Sequence, residues 1–407
     1  MTSFDHIYLD NNASTPIDER VLETMLPYLR GQYGNPSSVY QLGRMARAAI
    51  DVAREQVATL VNAHPSQVVF TSGGTEANNL ALKGAAGRLL PGSLAISAVE
   101  HGSVRAPAQA LRKQGWVLSE VGVDTQGRLD MMQLNEVISS HHMSTASTGV
   151  PGKSMSGKKK PGKIVAVMLA NNETGVIHNV VEVAELAREN GALLFVDAVQ
   201  AAGKIPVDFK VTGAQMMSLS AHKMYGPKGA GALIVDKSTD MEPLLHGGGH
   251  EKGRRTGTEN VAAFVGFGKA AELAMAEMEL RHQRVQPLRE HLEQRVMAEM
   301  PEVKIFAQEA ERLPNTSFFA VPGVDGETLL MSLDQAGLAV SSGSACSTGE
   351  TDPSHVLMAM GVDKALARGA IRVSLGKDSQ RNEIDRFVDC LKQQVQALQR
   401  FAAVAYA

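Results

Sequence analysis

GALLFVDAVQAAGKIPVDFKVTGAQMMSLSAHKMYGPKGAGALIVD, residues 191–236, contains three short apolar runs separated by turn-forming residues. ALLFVDA (192–198), AQMMSLSAH (214–222) and GALIVD (231–236) are brief and flanked by Gly, Pro or Asp, so each is predicted to be a buried strand. Outward from them, QVVFTS (67–72), SLAISAV (93–99) and KIVAVMLANN (163–172) repeat the pattern. VLETMLPYL (21–29), ARAAIDVAREQVATLV (46–61), SVRAPAQALRKQG (103–115) and VVEVAELARENG (180–191) instead carry apolar residues at helical spacing. Such alternation predicts an α/β domain on a mostly parallel mixed sheet. After residue 265 the texture changes to long charged helices over about 268–299, strand-like TSFFAVP (316–322) and IRVSLG (371–376), and a closing helix near 380–400. The expected division is an N-terminal arm (1–15) packing with a smaller α+β C-terminal domain (266–407), and a large domain (16–265) interrupted by a flexible loop at 139–163. The KKK run in that loop reads as a solvated tip.

The composition narrows the function. In 407 residues, 40 basic side chains stand against 43 acidic, which leaves no footprint for nucleic acid or an anionic membrane. No apolar run reaches about 18 residues and the start, MTSFDHIYLDNN, has no signal-peptide pattern, so residence in the cytoplasm is expected. Cys346 and Cys390 are the only cysteines, too few for a disulfide framework.

Several motifs carry chemistry. In SLSAHKMYGPKGAG (218–231), His222 and Lys223 sit where a strand enters a Gly-rich loop, and a lysine packed there can form a Schiff base with an aldehyde cofactor. Asp197 ends a buried strand, a costly site for a carboxylate unless it has a cationic partner such as a pyridinium nitrogen; a helix N-cap is the alternative. FTSGGTEANNLALKG (70–84) reads as strand, turn and helix, aiming the N–H groups of Gly74 and Thr75 at an anion. His101 follows a strand, where an imidazole can stack on a flat ring and move protons. Cys346 lies in the polar run SSGSACSTGETDPSH (341–355), out of place as packing and suited to nucleophilic chemistry, whereas Cys390 falls on an amphipathic helix as core filler.

Taken in order, YLDNNASTP (8–16), GNPSS (34–38), TSGGTEANN (71–79), EHGSV (100–104), NNETG (171–175), DAVQAAGK (197–204), SAHKMYGPKG (220–229), HGGGHEKGRRTGTEN (246–260), RLPNTS (312–317), SSGSACSTG (341–349) and IRVSLGK (371–377) resemble the cysteine desulfurases of nitrogen-fixation and iron–sulfur-cluster type. These belong to the class V aminotransferase family, with fold type I of the pyridoxal-phosphate enzymes. The resemblance implies pyridoxal 5′-phosphate held by Lys223, with Asp197 on its ring nitrogen and His101 stacked on the ring. Gly74, Thr75, Ser220 and His222 would hold the phosphate, while Asn172 and Gln200 would bond the phenolic oxygen or orient substrate. Thr258 would reach the phosphate in the neighbouring subunit of a homodimer, and Arg372, helped by Asn35, would take the substrate carboxylate. Lys223 or His101 would move the α-proton of L-cysteine, and Cys346 would take its sulfur as a persulfide, leaving L-alanine. A sulfur-acceptor or iron–sulfur scaffold protein would collect it, with Cys346 able to ligate a cluster transiently; no metal site of the enzyme's own is implied. An aminotransferase or selenocysteine lyase of the same fold, or a non-catalytic paralogue, is the competing reading; intact Lys223, Asp197 and Cys346 speak against the last.

Overall fold

The computed structural model describes residues 6–140, 161–342 and 352–405. Cys346 and most of the 139–163 segment lie outside the described residues. Seven strands form the main sheet in the order Val68–Thr71, Gly231–Val235, Met216–Ser220, Leu193–Asp197, Pro161–Met168, Leu90–Ser97, Val117–Val121. Gly231–Val235 runs antiparallel to both neighbours and the other pairings are parallel. The six apolar runs read from the sequence are all strands of this sheet. A Cβ on Gly231 would stand 2.5 Å from the Gly73 carbonyl carbon, so glycine lets the strand pass the turn that opens the helix at Gly74.

Two apolar clusters cover the sheet. One holds Phe70, Val167, Val196 and Leu219 with the helices Gln41–Leu60 and Val180–Glu189; the other holds Leu94, Ile96, Phe195 and Trp116 with Gly102–Arg112. A second sheet, Ser341–Ser342, Ala370–Ser374, Thr316–Ala320 and Lys304–Ile305, is antiparallel. Its core of Phe319, Ile371 and Val373 takes in Ile7 and Leu9 from the N-terminal segment and Phe387 and Leu391 from the final helix. Ile7–Tyr8 also pairs in parallel with Leu338–Ala339.

One helix, Val261–Glu299, joins the two cores: Phe264, Phe267 and Ala271 pack in the first, Leu292 and Val296 in the second. The sequence texture starts this helix near 268, but it begins seven residues earlier. Gly266 and Gly268 lie where a Cβ would meet Met25 Sδ at 2.5 Å and Ala53 Cα at 2.6 Å, so the first turns are pressed against two other helices and have no polar face. All-round burial erases the periodic signal there.

Candidate active site

The carboxyl ends of the parallel strands converge on one cavity of about 380 Å³, the place where open α/β sheets bind ligands. Gly74, Thr75, His101, Asn172 and Asp197 line it, and so do Gln200, Ser220, His222, Lys223 and Arg372. Asn35 and Thr258 do not; both are exposed on the surface, where Ser37 Oγ meets His250 Nε2 at 3.2 Å and ties their two segments together.

Lys223 ends the single turn Ala221–Lys223 that follows the strand Met216–Ser220. Its Nζ donates to the carbonyls of Asn12 (2.6 Å) and Ala13 (2.7 Å). Burial, then the charge of Arg372, draws this amine down to about 8, with Asp10 and Asp197 opposing. Two residues on, Tyr225 adopts a left-handed backbone (φ 68°) and its ring stands between the Arg281 guanidinium (5.0 Å) and the Lys377 ammonium (4.9 Å).

Asp197 is buried and both carboxylate oxygens are occupied: Oδ1 accepts from Val199 N (3.0 Å) and Oδ2 from Asn78 Nδ2 (2.7 Å). It caps no helix, which disposes of the alternative reading. His101 does cap one, since its Nδ1 accepts from Ser103 N (3.1 Å) at the start of Gly102–Arg112. That bond leaves the neutral ring's proton on Nε2. Burial lowers the imidazole below its usual range, Asp197 offsets part of the drop, and Lys223 adds to it. His222 is pushed to about 4 by burial and by Lys223 and Lys228, and its Nδ1 lies 3.2 Å from Ser14 Oγ.

Arg372 reaches in from the second sheet, donating to Asn172 O (2.9 Å) and to Asp10 Oδ1 (2.7 Å). Gln200 Nε2 donates to Asn12 O (2.9 Å). The sequence reading gave no role to Asp10, Asn12, Asn78, Ser103 or Lys204, although each lies inside a quoted motif; polar residues at buried positions were the available signal. Asn12 is the hub: its Nδ2 donates to Asn172 O and Thr316 Oγ1, its N to Ser374 Oγ, and its Oδ1 accepts from Lys204 and Asn315. Glu100, fully buried beside His101, accepts from Met168 N (2.7 Å), and burial together with Asp197 holds its carboxyl well above the usual range.

A model of the class V aminotransferases matches residues 7–150 and 153–387. The chain belongs to that family. It is similar to a cysteine desulfurase of Nostoc sp. strain PCC 7120, 39% identical over 393 residues that cover 96% of this chain and 93% of the relative. Among solved structures, a NifS-like protein superposes with a TM-score of 0.86 at 34% identity, covering 97% of this chain and 100% of that one. SspA in complex with cysteine superposes with a TM-score of 0.74 at 30% identity, covering 90% and 98%. Class V aminotransferases of this α/β build are the setting in which the cavity is to be read.

The residues present fit pyridoxal 5′-phosphate. Ser220 Oγ, Asn78 Oδ1 and Arg372 Nε are buried with no hydrogen-bond partner among the described residues, and Ser220 and Arg372 line the cavity that also holds an amine and a carboxylate. A ligand offering phosphate and carboxylate oxygens would satisfy a hydroxyl and a guanidinium there.

Proposed function

We propose that this protein is a cysteine desulfurase that holds pyridoxal 5′-phosphate on Lys223, moves the sulfur of L-cysteine onto Cys346 and releases L-alanine. The observation that carries the reading is the presence of the Lys223 amine, the Asp197 carboxylate, the His101 imidazole and the Arg372 guanidinium on one cavity. Bound there, the cofactor supplies an aldehyde that condenses with amino groups and a ring that draws electrons from the attached carbon.

Each side chain then has a task set by its surroundings. Lys223 at about 8 holds an appreciable neutral fraction near pH 7, so Nζ would be able to hold the cofactor and, when free of it, to take the α-proton of the substrate. Asp197, fixed by two donors, would serve as the acceptor for the protonated ring nitrogen. His101 would lie against the cofactor ring, with Nε2 as the atom available to exchange a proton. Gly74, Thr75, Ser220 and His222 would hold the phosphate, and Gln200 and Asn172 would bond the phenolic oxygen or orient substrate. Arg372 would bind the substrate carboxylate, with Nε free of any partner among the described residues, while Asn172 O and Asp10 hold its two terminal nitrogens. The thiolate of Cys346 attacks the substrate sulfur; the carbon–sulfur bond breaks, the carbon gains a proton, and a persulfide remains on the enzyme.

Asn35 and Thr258 belong, on this reading, to the site of a second copy. Their surface also exposes Tyr33, Val39 and Tyr40, an apolar stretch that supports a homodimer. A sulfur-acceptor or iron–sulfur scaffold protein would collect the persulfide for cluster assembly or another sulfur-transfer route, in the cytoplasm; no helix among the described residues is long and apolar enough to cross a membrane.

The test is release of sulfide and alanine from L-cysteine with a thiol reductant, for the wild type and Cys346→Ser, with visible absorbance recorded for both. Equimolar products from the wild type alone, with both proteins yellow, are expected. A colourless protein that takes up no pyridoxal phosphate, or equal turnover by Cys346→Ser, would overturn the reading.

A further inference from the structure

The tasks above leave one amine at the site unused. Lys204, four residues after Gln200, donates from Nζ to Gln200 Oε1 (2.7 Å) and to Asn12 Oδ1 (2.8 Å), both neutral amide oxygens. Burial, and then the positive charges of Lys223 and Arg372, disfavour its ammonium form. An amine kept where its charge is costly must be held by the bonds it makes.

Those bonds constrain Gln200. A side-chain amide has one donating and one accepting end, and rotating it by half a turn exchanges them. The carbonyl of Asn12 can only accept, so it takes Nε2 (2.9 Å), while Lys204 donates to Oε1. Asn12 O already requires an N–H from Gln200, and the Lys204 bond pins the other end of the same amide as an acceptor, so the second Nε2 hydrogen remains for the cavity that Gln200 lines. Asn12 O is also an acceptor for Lys223 Nζ, so the same lock touches the reactive amine.

We infer that Lys204 is a positioning residue, which fixes the Gln200 amide so that an N–H rather than a carbonyl oxygen meets the ligand oxygen in the cavity. The inference rests on the cofactor reading above. Wild type, Lys204→Met, Lys204→Ala, Lys204→Gln, Gln200→Ala and the Lys204→Met/Gln200→Ala double variant are loaded with pyridoxal phosphate. Each is titrated without substrate by visible absorbance from about pH 6 to about pH 10, with circular dichroism to check the fold. A donor onto the phenolic oxygen favours the form that has lost its proton, so losing it raises the midpoint. Lys204→Met and Lys204→Ala should raise it by about half to one pH unit, Lys204→Gln, which keeps an N–H, should restore most of the shift, and Lys204→Met should add nothing once Gln200 is alanine.

A midpoint within about 0.2 unit of wild type in either folded variant, or a shift that adds in full to that of Gln200→Ala, would overturn the inference. So would loss of the fold in both variants while Lys204→Gln keeps it, because Lys204 would then be a structural strut. A wild type with no visible band would instead overturn the cofactor reading itself.

Discussion

In protein without cofactor, the reactivity of Lys223 should titrate near pH 8, far below an ordinary lysine at about 10.4. With that midpoint, about one tenth of the amine is neutral at pH 7 and about nine tenths at pH 9, and the fraction at pH 7 exceeds that of an ordinary lysine on the order of 200-fold. The assay is trace acetylation by acetic anhydride at a series of pH values, normalised to a free-amine standard, with Lys223 quantified by peptide mass spectrometry. Reactivity should rise about tenfold per unit below pH 7 and level off above about pH 9. Arg372 is the cation that most depresses this amine after burial, so Arg372→Met should move the midpoint upward. Reactivity that still climbs tenfold between pH 9 and pH 10, or a downward shift in Arg372→Met, would refute the electrostatic account of the site.

Three further outcomes are expected. Asp197→Asn turns an amide N–H toward one of the two donors that Asp197 accepts, so turnover should fall at least about a hundredfold while some visible colour is retained, as read by sulfide release and absorbance. Glu173, hydrogen-bonded by Ser354, is raised to about 7 by burial; the folded state therefore binds its proton more tightly than the unfolded chain. The stability it contributes is full below the ordinary carboxyl range and lost as pH climbs through about 7, so Glu173→Gln should gain on the wild type in urea midpoint between pH 5 and pH 8. Cys390 packs partly buried against the second core and burial raises its thiol, so Cys390→Ser should leave turnover within about twofold; a large loss with normal folding would give it a role in the reaction.

The main sheet was legible because its central strands are buried on both faces, which demands continuous apolar runs. Val117–Val121 escaped because it is an edge strand with mixed burial, and its run VLSEV alternates with polar residues. Gly326–Gln335 and the five-residue helices His355–Ala359 and Lys364–Arg368 were not read either; the latter two complete too few turns for a periodic signal.

The site divides along a different line. Lys223, Asp197, His101 and the turn at Gly74 were readable because each follows a strand or opens a helix, where local sequence dictates what the backbone does. Their partners were not, because the bonds between them cross long stretches of chain: Asn78 to Asp197 spans 119 residues and Asn315 to Asn12 spans 303. Asn12 has no local pattern that marks it, yet it receives the Lys223 amine, positions Gln200 and Lys204, and bonds Thr316 and Ser374 of the second sheet. The N-terminal segment thus does more than pair at a sheet edge. It carries the polar contacts by which a strand end of the first sheet and a strand of the second present their side chains to one cavity: the main-chain carbonyls of Asn12 and Ala13 accept from Lys223 Nζ, and the Asp10 carboxylate pairs with Arg372.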